Sequence, residues 1–359
     1  MRLSRRAHPS PWRRAITTIL VTGGAGFIGS EFVRYTLANH ADYDVVVLDK
    51  LTYAGNLDNL RPVSESPRYR FVQGDIGEAT TVEPLVDGAD AIVNFAAETH
   101  VDRSLLDPGS FINTDVYGVH VLLEAVRRTG GKARFLQVST DEVYGSIEQG
   151  SFQESDRLQP RSPYSASKAG GELMAQAYFE TYRLHVVSTR GSNTFGPYQY
   201  PEKIIPLFVT NALDNLPLPL YGDGLNVRDW LYVGDHCSAI DLVLHEGRAG
   251  EAYNVGGGNE RTNLYVTETI LQLLGKPRSL IKPVADRPGH DRRYSLDCAK
   301  VRRLGWQPQR DFLAALRETV DWYAANEWWW RQLKSGEYLD YYKQNYGQRD
   351  TAAAESARP

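Results

Sequence analysis

The sequence predicts an α/β fold: a doubly wound parallel sheet, followed by a smaller, mixed α/β lobe. Three observations carry this. Short strand-like runs recur at residues 19–22, 45–48, 70–76, 91–97, 134–139 and 186–190, and most are apolar throughout rather than alternating, as in a sheet covered on both faces. The stretches between them are long enough for helices, and residues 111–128 carry Val116, Val119, Leu122, Leu123 and Val126 as a broad apolar stripe, the pattern of a helix packed on a sheet. From Gly191-Ser192-Asn193-Thr194-Phe195-Gly196-Pro197 onward turn residues become frequent, which marks a less regular C-terminal part.

Composition narrows the function classes. The chain has 359 residues, 42% of them hydrophobic, enough for one large core or two closely joined ones. A net charge of −4 offers no general attraction to nucleic acid or acidic membranes, so recognition has to be local. Cys237 and Cys298 have no metal-ligand spacing and are too few for a disulfide framework; they read as structural thiols, and no metal site is expected. No apolar run approaches the ~18 residues of a membrane helix, so the expected location is the cytoplasm. Residues 1–17, with Arg2, Arg5, Arg6, Arg13 and Arg14, read as a disordered extension, and residues 347–359 as a disordered tail.

The first strand runs into Gly23-Gly24-Ala25-Gly26-Phe27-Ile28-Gly29. Gly23, Gly26 and Gly29 follow a relative of the dinucleotide fingerprint, in which glycines let the backbone approach a pyrophosphate at a helix N-terminus. The second strand ends at Asp49, about 20 residues after the last of these glycines, where an acid binds ribose hydroxyls and repels a 2′-phosphate; the expected cofactor is NAD. Lys50, Leu51 and Thr52 follow in a loop placed to cover the adenosine side. Asp75 and Ile76 end the third strand, and Asp75 is either an acceptor for the adenine amino group or a turn residue. The fourth strand delivers Phe95, Ala96, Ala97 and Glu98, small or flat surfaces against which a cofactor can lie. His100 has no neighbours that define a proton relay and reads as structural or cofactor-side.

The fifth strand delivers Thr140, Asp141 and Glu142. Two acids in one closed pocket cannot both ionise cheaply, so one would hold a proton while the other stays basic; alternatively, Asp141 caps the helical turn that follows. Tyr164 and Lys168 are four apart and share one helix face. At an effective dielectric of ~20 and ~4 Å, an ammonium stabilises a nearby anion by roughly 4 kcal/mol, or about three pKa units, which would bring a phenol toward neutrality as a general base. An isolated Tyr-x-x-x-Lys is an ordinary amphipathic helix; beside the glycine turn and the acid pair it reads as chemistry.

Together these residues resemble the extended short-chain dehydrogenase/reductases, over a span from residue 19 to the 330s. The glycine turn, Asp49-Lys50-Leu51-Thr52, Ala96-Ala97-Glu98, Tyr164-x-x-x-Lys168 and Asn193 are shared broadly in that family. Thr140-Asp141-Glu142 is narrower and resembles the sugar-nucleotide 4,6-dehydratase branch, since the related epimerases usually carry Ser or Thr without the acid pair. The resemblance implies a Rossmann-type NAD-binding domain at residues 18–195, and a substrate lobe at 196–346 whose chain crosses back. It implies tightly held NAD, regenerated each turnover, and dTDP-glucose as substrate. The implied reaction is C4 oxidation, loss of water across C5 and C6, and hydride return to C6. In that scheme Tyr164, supported by Lys168, takes the C4 hydroxyl proton while Thr140 hydrogen-bonds the same oxygen. Glu142 removes the C5 proton, and Asp141 protonates the departing C6 hydroxyl.

The resemblance adds Thr114 and Thr194 to the cofactor contacts. It assigns the substrate to Thr99, Thr140, Asn193, Lys203, Ile204, Pro219, Leu220, Tyr221, Arg228, Asn263, Asp286, Arg287 and His290, with arginine forks suited to a diphosphate. His290 could also be an ordinary surface residue. A homodimer is implied through a four-helix bundle near residues 111–128 and the helix at Tyr164, with no nucleic-acid or membrane partner. The chain departs from the pattern at Thr99, where Ser is usual, and at Thr194, where a second Asn commonly follows Asn193. Another nucleotide-sugar epimerase or decarboxylase is the alternative, and so is a non-catalytic NAD-binding module, although that reading predicts the loss of Tyr164, Lys168 or Glu142. Asn254-Val255-Gly256-Gly257-Gly258 reads as a tight turn, and Trp328-Trp329-Trp330 as aromatic packing that closes the lobe.

Overall fold

Strands that are apolar on both faces need cover on both, and the chain supplies it by alternation. The computed structural model describes residues 16–287, 289–336 and 338–346. Six of the expected runs form β1 (Thr18–Thr22), β2 (Asp44–Asp49), β3 (Tyr69–Gln73), β4 (Ala91–Asn94), β5 (Arg134–Thr140) and β6 (Val186–Gly191). Then come β7 (Asn193–Phe195), β8 (Leu218–Tyr221), β9 (Val227–Tyr232), β10 (Ala252–Val255), β11 (Glu260–Thr262) and β12 (Ile281–Val284). Seven of them make one parallel sheet in the order β3-β2-β1-β4-β5-β6-β10. Val21 of β1 lies between Val47 and Val93. The chain leaves β1 in one direction and returns to β4 in the other, and the crevice at that reversal is where such sheets bind ligands.

One face is covered by the helices Phe27–Asn39 and Val233–Glu246, which bury Phe32, Val33, Ile240 and Val243. The other carries Ala79–Asp87, Val119–Arg128 and Pro163–Tyr182, with Val82, Leu122, Val126 and Ala175 buried. Helix Val233–Glu246 and β10 return to the sheet after the chain has left for the lobe. The lobe holds a three-stranded sheet, β11-β9-β7, and the parallel pair β12-β8. Its core is aromatic: Phe195, Phe208, Trp230, Tyr323, Trp329 and Trp330 pack together. The Trp329 indole N–H donates to Asn59 Oδ1 at 2.9 Å, and the Asn59 amide donates to the Ala25 carbonyl at 2.9 Å, which ties the lobe to the glycine turn.

Three expectations change. Ile16 and Thr17, expected in the disordered extension, are placed: Ile16 is buried and Thr17 donates its N–H and hydroxyl to Asp90 at 3.0 and 2.7 Å; residues 1–15 and the tail 347–359 lie outside the described residues. The helix expected over 111–128 is interrupted. Pro108–Ile112 leads into a π-turn, Asn113–Gly118, before Val119–Arg128. A π-turn takes in an extra residue and so breaks the 3.6-residue period. The tight turn at 254–258 is a close approach: a Cβ on Gly256 or Gly257 would strike the Asp229 carboxylate or the Trp230 carbonyl.

Candidate active site

The carboxyl ends of β1, β2, β4 and β5 open on a cleft of about 300 Å³, continuous in its lining with a second cavity of about 140 Å³ against the lobe. Glu142, Asn193, Glu202 and Lys203 line both. The backbone shapes the first. Gly23 sits at φ +69°, and a Cβ there would lie 2.5 Å from the Ala96 nitrogen; a Cβ on Gly29 would strike the Gly23 carbonyl. The helix beginning at Phe27 has no side-chain cap, so its first N–H groups are free for an anion. Gly26, Phe27, Ile28, Asp49, Lys50, Thr52, Asp75, Ile76, Phe95, Ala96, Ala97, Glu98, Thr99, Thr114 and Thr194 line this cleft. This cradle fits a dinucleotide: glycine backbone and open N–H groups meet a pyrophosphate, and a strand-end acid meets a ribose.

Asp49 is held from both sides, with one oxygen on the Ala25 N–H at 2.9 Å and the other on the Leu51 N–H at 2.8 Å; burial still raises its pKa. Leu51 itself does not line the cleft, contrary to expectation; at φ +59° it turns its side chain into the core and serves through its N–H. Asp75 accepts from Lys50 at 2.6 Å and from the Gly77 N–H at 2.8 Å.

At the floor, Ser162 caps the catalytic helix in a reciprocal box with Ser165, and Pro163 occupies its first turn. Such a cap contributes about 1 kcal/mol and fixes where Tyr164 and Lys168 start. Behind that helix, Glu172 pairs with the buried Arg190 of β6 at 2.5 Å. Thr140, not Asp141, caps the turn Asp141–Tyr144 by accepting from the Glu142 N–H at 3.3 Å. The capping alternative for Asp141 therefore falls. Asp141 is buried; desolvation, then Glu142 and Asp229, push its carboxyl well above the usual range, which favours its protonated form. One of its oxygens meets the Thr140 hydroxyl at 3.2 Å, and the other has no hydrogen-bond partner among the described residues.

The expectation that Lys168 brings Tyr164 toward neutrality does not hold for the protein alone. Burial, then Glu142, Asp115 and Asp141, hold the phenol well above its ordinary range, with only a hydrogen bond from Thr140 working the other way. Lys168 donates to the Val138 carbonyl at 2.9 Å, and burial lowers its pKa while Asp115 and Glu172 raise it. Burial is the largest of these causes, and the nearby acids add to it.

The second cavity is lined by Ile204, Pro219, Leu220, Tyr221, Arg228, Asn263, Arg287 and His290. Arg228 is anchored by the Asp291 carbonyl at 2.9 Å and lies over the Tyr294 ring at 4.2 Å. Buried polar atoms here, Asn193 Oδ1, Asn263 Oδ1 and Arg287 Nε, have no partner among the described residues, which suits a polar ligand. Asp286 does not line the cavity, contrary to expectation: its carboxylate holds His290 at 2.6 Å and accepts from the Arg287 N–H. His290 is no surface residue; its side chain is 5% exposed, and burial with Arg287 and Arg228 lowers its pKa to about 4. His100, expected on the cofactor side or in a structural role, lines this second cavity at φ +82° and meets the Tyr341 hydroxyl at 3.1 Å.

Sequence reasoning missed Asp115, Glu202, Arg103 and Tyr346. Glu202 accepts from Tyr53 and from Arg103, both at 2.8 Å, and Arg103 is sandwiched between the rings of Tyr53 and Tyr341. Only the burial of a charge beside Lys203 could have flagged Glu202 and its partner Arg103, and that is not visible in a linear pattern.

A family model described as GDP-mannose 4,6 dehydratase matches residues 20–319. A dTDP-glucose 4,6-dehydratase of Streptomyces niveus is 54% identical over 88% of this chain and 96% of its own. DesIV, a dTDP-glucose 4,6-dehydratase of Streptomyces venezuelae solved with NAD and TDP bound, is 55% identical over 89% of this chain and all of its own, with a TM-score of 0.87. A UDP-glucose 4-epimerase of Thermus thermophilus, solved with NAD, shares the fold at a TM-score of 0.80 but only 33% of the sequence, over 86% of this chain and all of its own. By these matches the chain belongs to the GDP-mannose 4,6 dehydratase family of extended short-chain dehydrogenase/reductases, in the branch of the dTDP-glucose 4,6-dehydratases.

Proposed function

We propose that the chain converts dTDP-glucose to dTDP-4-keto-6-deoxyglucose and water, with NAD held throughout. The observation that carries this reading is the acid pair at the end of β5. Asp141 is buried, which raises its pKa and favours the acid form, and its neighbour Glu142 lines both the cofactor cleft and the substrate cavity. Two neighbouring carboxyls in different surroundings are what elimination of water needs, one to take a proton and one to give it. An epimerase needs neither, and the family's epimerases are the less similar neighbours.

Gly23, Gly26, Asp49 and the segment after β4 would hold NAD, which when bound supplies the hydride acceptor at C4 and donor at C6, and a positive ring that favours the Tyr164 phenolate. Tyr164 takes the C4 hydroxyl proton, with Thr140 on the same oxygen. The ketone so formed acidifies the C5 hydrogen, which Glu142 removes. Asp141 gives its proton to the C6 hydroxyl and water leaves; C5 regains a proton from Glu142 as C6 is reduced. Lys203, Arg228, Asn263 and Arg287 hold the nucleotide.

A homodimer is part of the reading. Leu105, Leu106, Ile112, Tyr117, Leu173 and Tyr182 are exposed on the π-turn segment and its neighbouring helices, and such apolar area supports a partner surface there. Among the described residues no helix is long and apolar enough to cross a membrane, in keeping with the cytoplasmic location we expect. The test is incubation with dTDP-glucose or UDP-glucose and no added NAD. An alkali-sensitive 4-keto sugar from dTDP-glucose supports the reading; a C4 epimer, or no conversion, rejects it.

A further inference from the structure

Behind the catalytic helix sits an acid that the scheme above leaves without a role. Asp115 is 2% exposed and projects from the π-turn Asn113–Gly118. One of its oxygens accepts from the Glu98 N–H at 2.9 Å, the other from the Ser167 hydroxyl at 2.5 Å. It thus ties the segment after β4 to the catalytic helix, one residue before Lys168. A Cβ on Gly171 would strike the Asp115 carbonyl, so the helix can approach this closely only because glycine is there. The charged and titratable groups facing Asp115 are Lys168 and Tyr164 on that helix and Glu98 on the segment after β4. Tyr164 also faces Glu142 and Asp141, and Lys168 also faces Glu172.

Charge and clamp are separable here. The Ser167 hydroxyl lies 2.8 Å from the Tyr164 carbonyl. An amide at position 115 can accept from the Glu98 N–H and donate to Ser167 Oγ, whose proton then turns to that carbonyl. Asn therefore keeps both ties and loses only the negative charge.

We propose that Asp115 is a positioning residue whose negative charge sets the pH window in which the Tyr164–Lys168 pair operates, in addition to clamping the Glu98 segment to the catalytic helix. The proposal rests on the reading of Tyr164 as the base. An anion beside both groups makes each harder to deprotonate, so it holds both ionisations at higher pH. Burial brings the Asp115 carboxyl up to about 6, so the charge is present at neutral pH and fades below it.

The test is D115N as holoenzyme. Both limbs of its kcat profile move to lower pH, by about one unit, and the two enzymes converge as pH falls past 6. The tyrosinate absorbance of Tyr164, taken as the difference from Y164F, moves the same way. S167A, which weakens the clamp and removes one hydrogen bond to the carboxylate but leaves the carboxyl in place, displaces both limbs less than D115N. Limbs that stay put or rise in D115N overturn the proposal, as does an S167A profile displaced like that of D115N. If D115N does not fold, D115S is read by the same two measurements. The tyrosinate titration needs no turnover, so a chain that fails to dehydrate dTDP-glucose sinks the functional reading while Asp115 is still tested.

Discussion

The two halves of the cleft are built by different means. The cofactor half is made of backbone: glycines at close approaches, an open helix N-terminus and strand ends in one sheet, with the contacts running in sequence order from Gly23 to Ala97. The substrate half is made of side chains from segments scattered between His100 and Tyr346 and held by long-range bonds such as Arg228 to the Asp291 carbonyl. Backbone recognition needs small residues at fixed spacing, whereas side-chain recognition needs only that charges arrive at one place. Glu142 stands where the halves meet.

If the halves are distinct, breaking the chemistry between them should leave both intact. E142Q is expected to lower turnover about 10³-fold, within the range of a general base, while purified protein keeps its NAD; loss of NAD as well would mean that the halves are not separable. G23A acts on one half alone. Its Cβ would meet the Ala96 backbone at a φ of +69°, a conformation that costs a side chain roughly 1–2 kcal/mol before the clash is counted. Cofactor content and melting temperature should both fall. R287K should act on the other half, raising KM about tenfold for the loss of one charge-assisted contact with NAD content unchanged.

That contrast also explains what could be read from the chain. The glycine turn, Asp49 and the Tyr164–Lys168 spacing are local, and their geometry follows from the elements they begin or end. Asp115 was hidden because an apolar stripe at helical period ran straight across the π-turn, and the period was trusted through it. The substrate contacts came from resemblance rather than spacing, and Asp286 shows the limit of that route: the residue is near the ligand cavity but spends its carboxylate on His290. Tyr164 shows another limit. Spacing placed the ammonium near the phenol, but the burial that chiefly raises its pKa, and the acids that add to it, come from the surrounding fold.

The smallest expected effect concerns stability. His236, against Gly191 in the cofactor half, is buried and its pKa is lowered to about 4. The unfolded chain takes up a proton near 6.5, before the folded one does, so the stabilisation is full above 6.5 and is lost as pH falls toward 4. Urea midpoints followed between those values should drop with pH, and H236N should flatten part of that slope. An unchanged slope in H236N would contradict this.

The most direct test of the central claim is to follow one hydrogen. The chain is incubated in ordinary water with dTDP-glucose carrying deuterium at C4, and the product is read by mass spectrometry and NMR. The account predicts a 4-keto-6-deoxy sugar with the label at C6 of the same molecule. Label lost to water, or retained at C4 of an epimer, would contradict it.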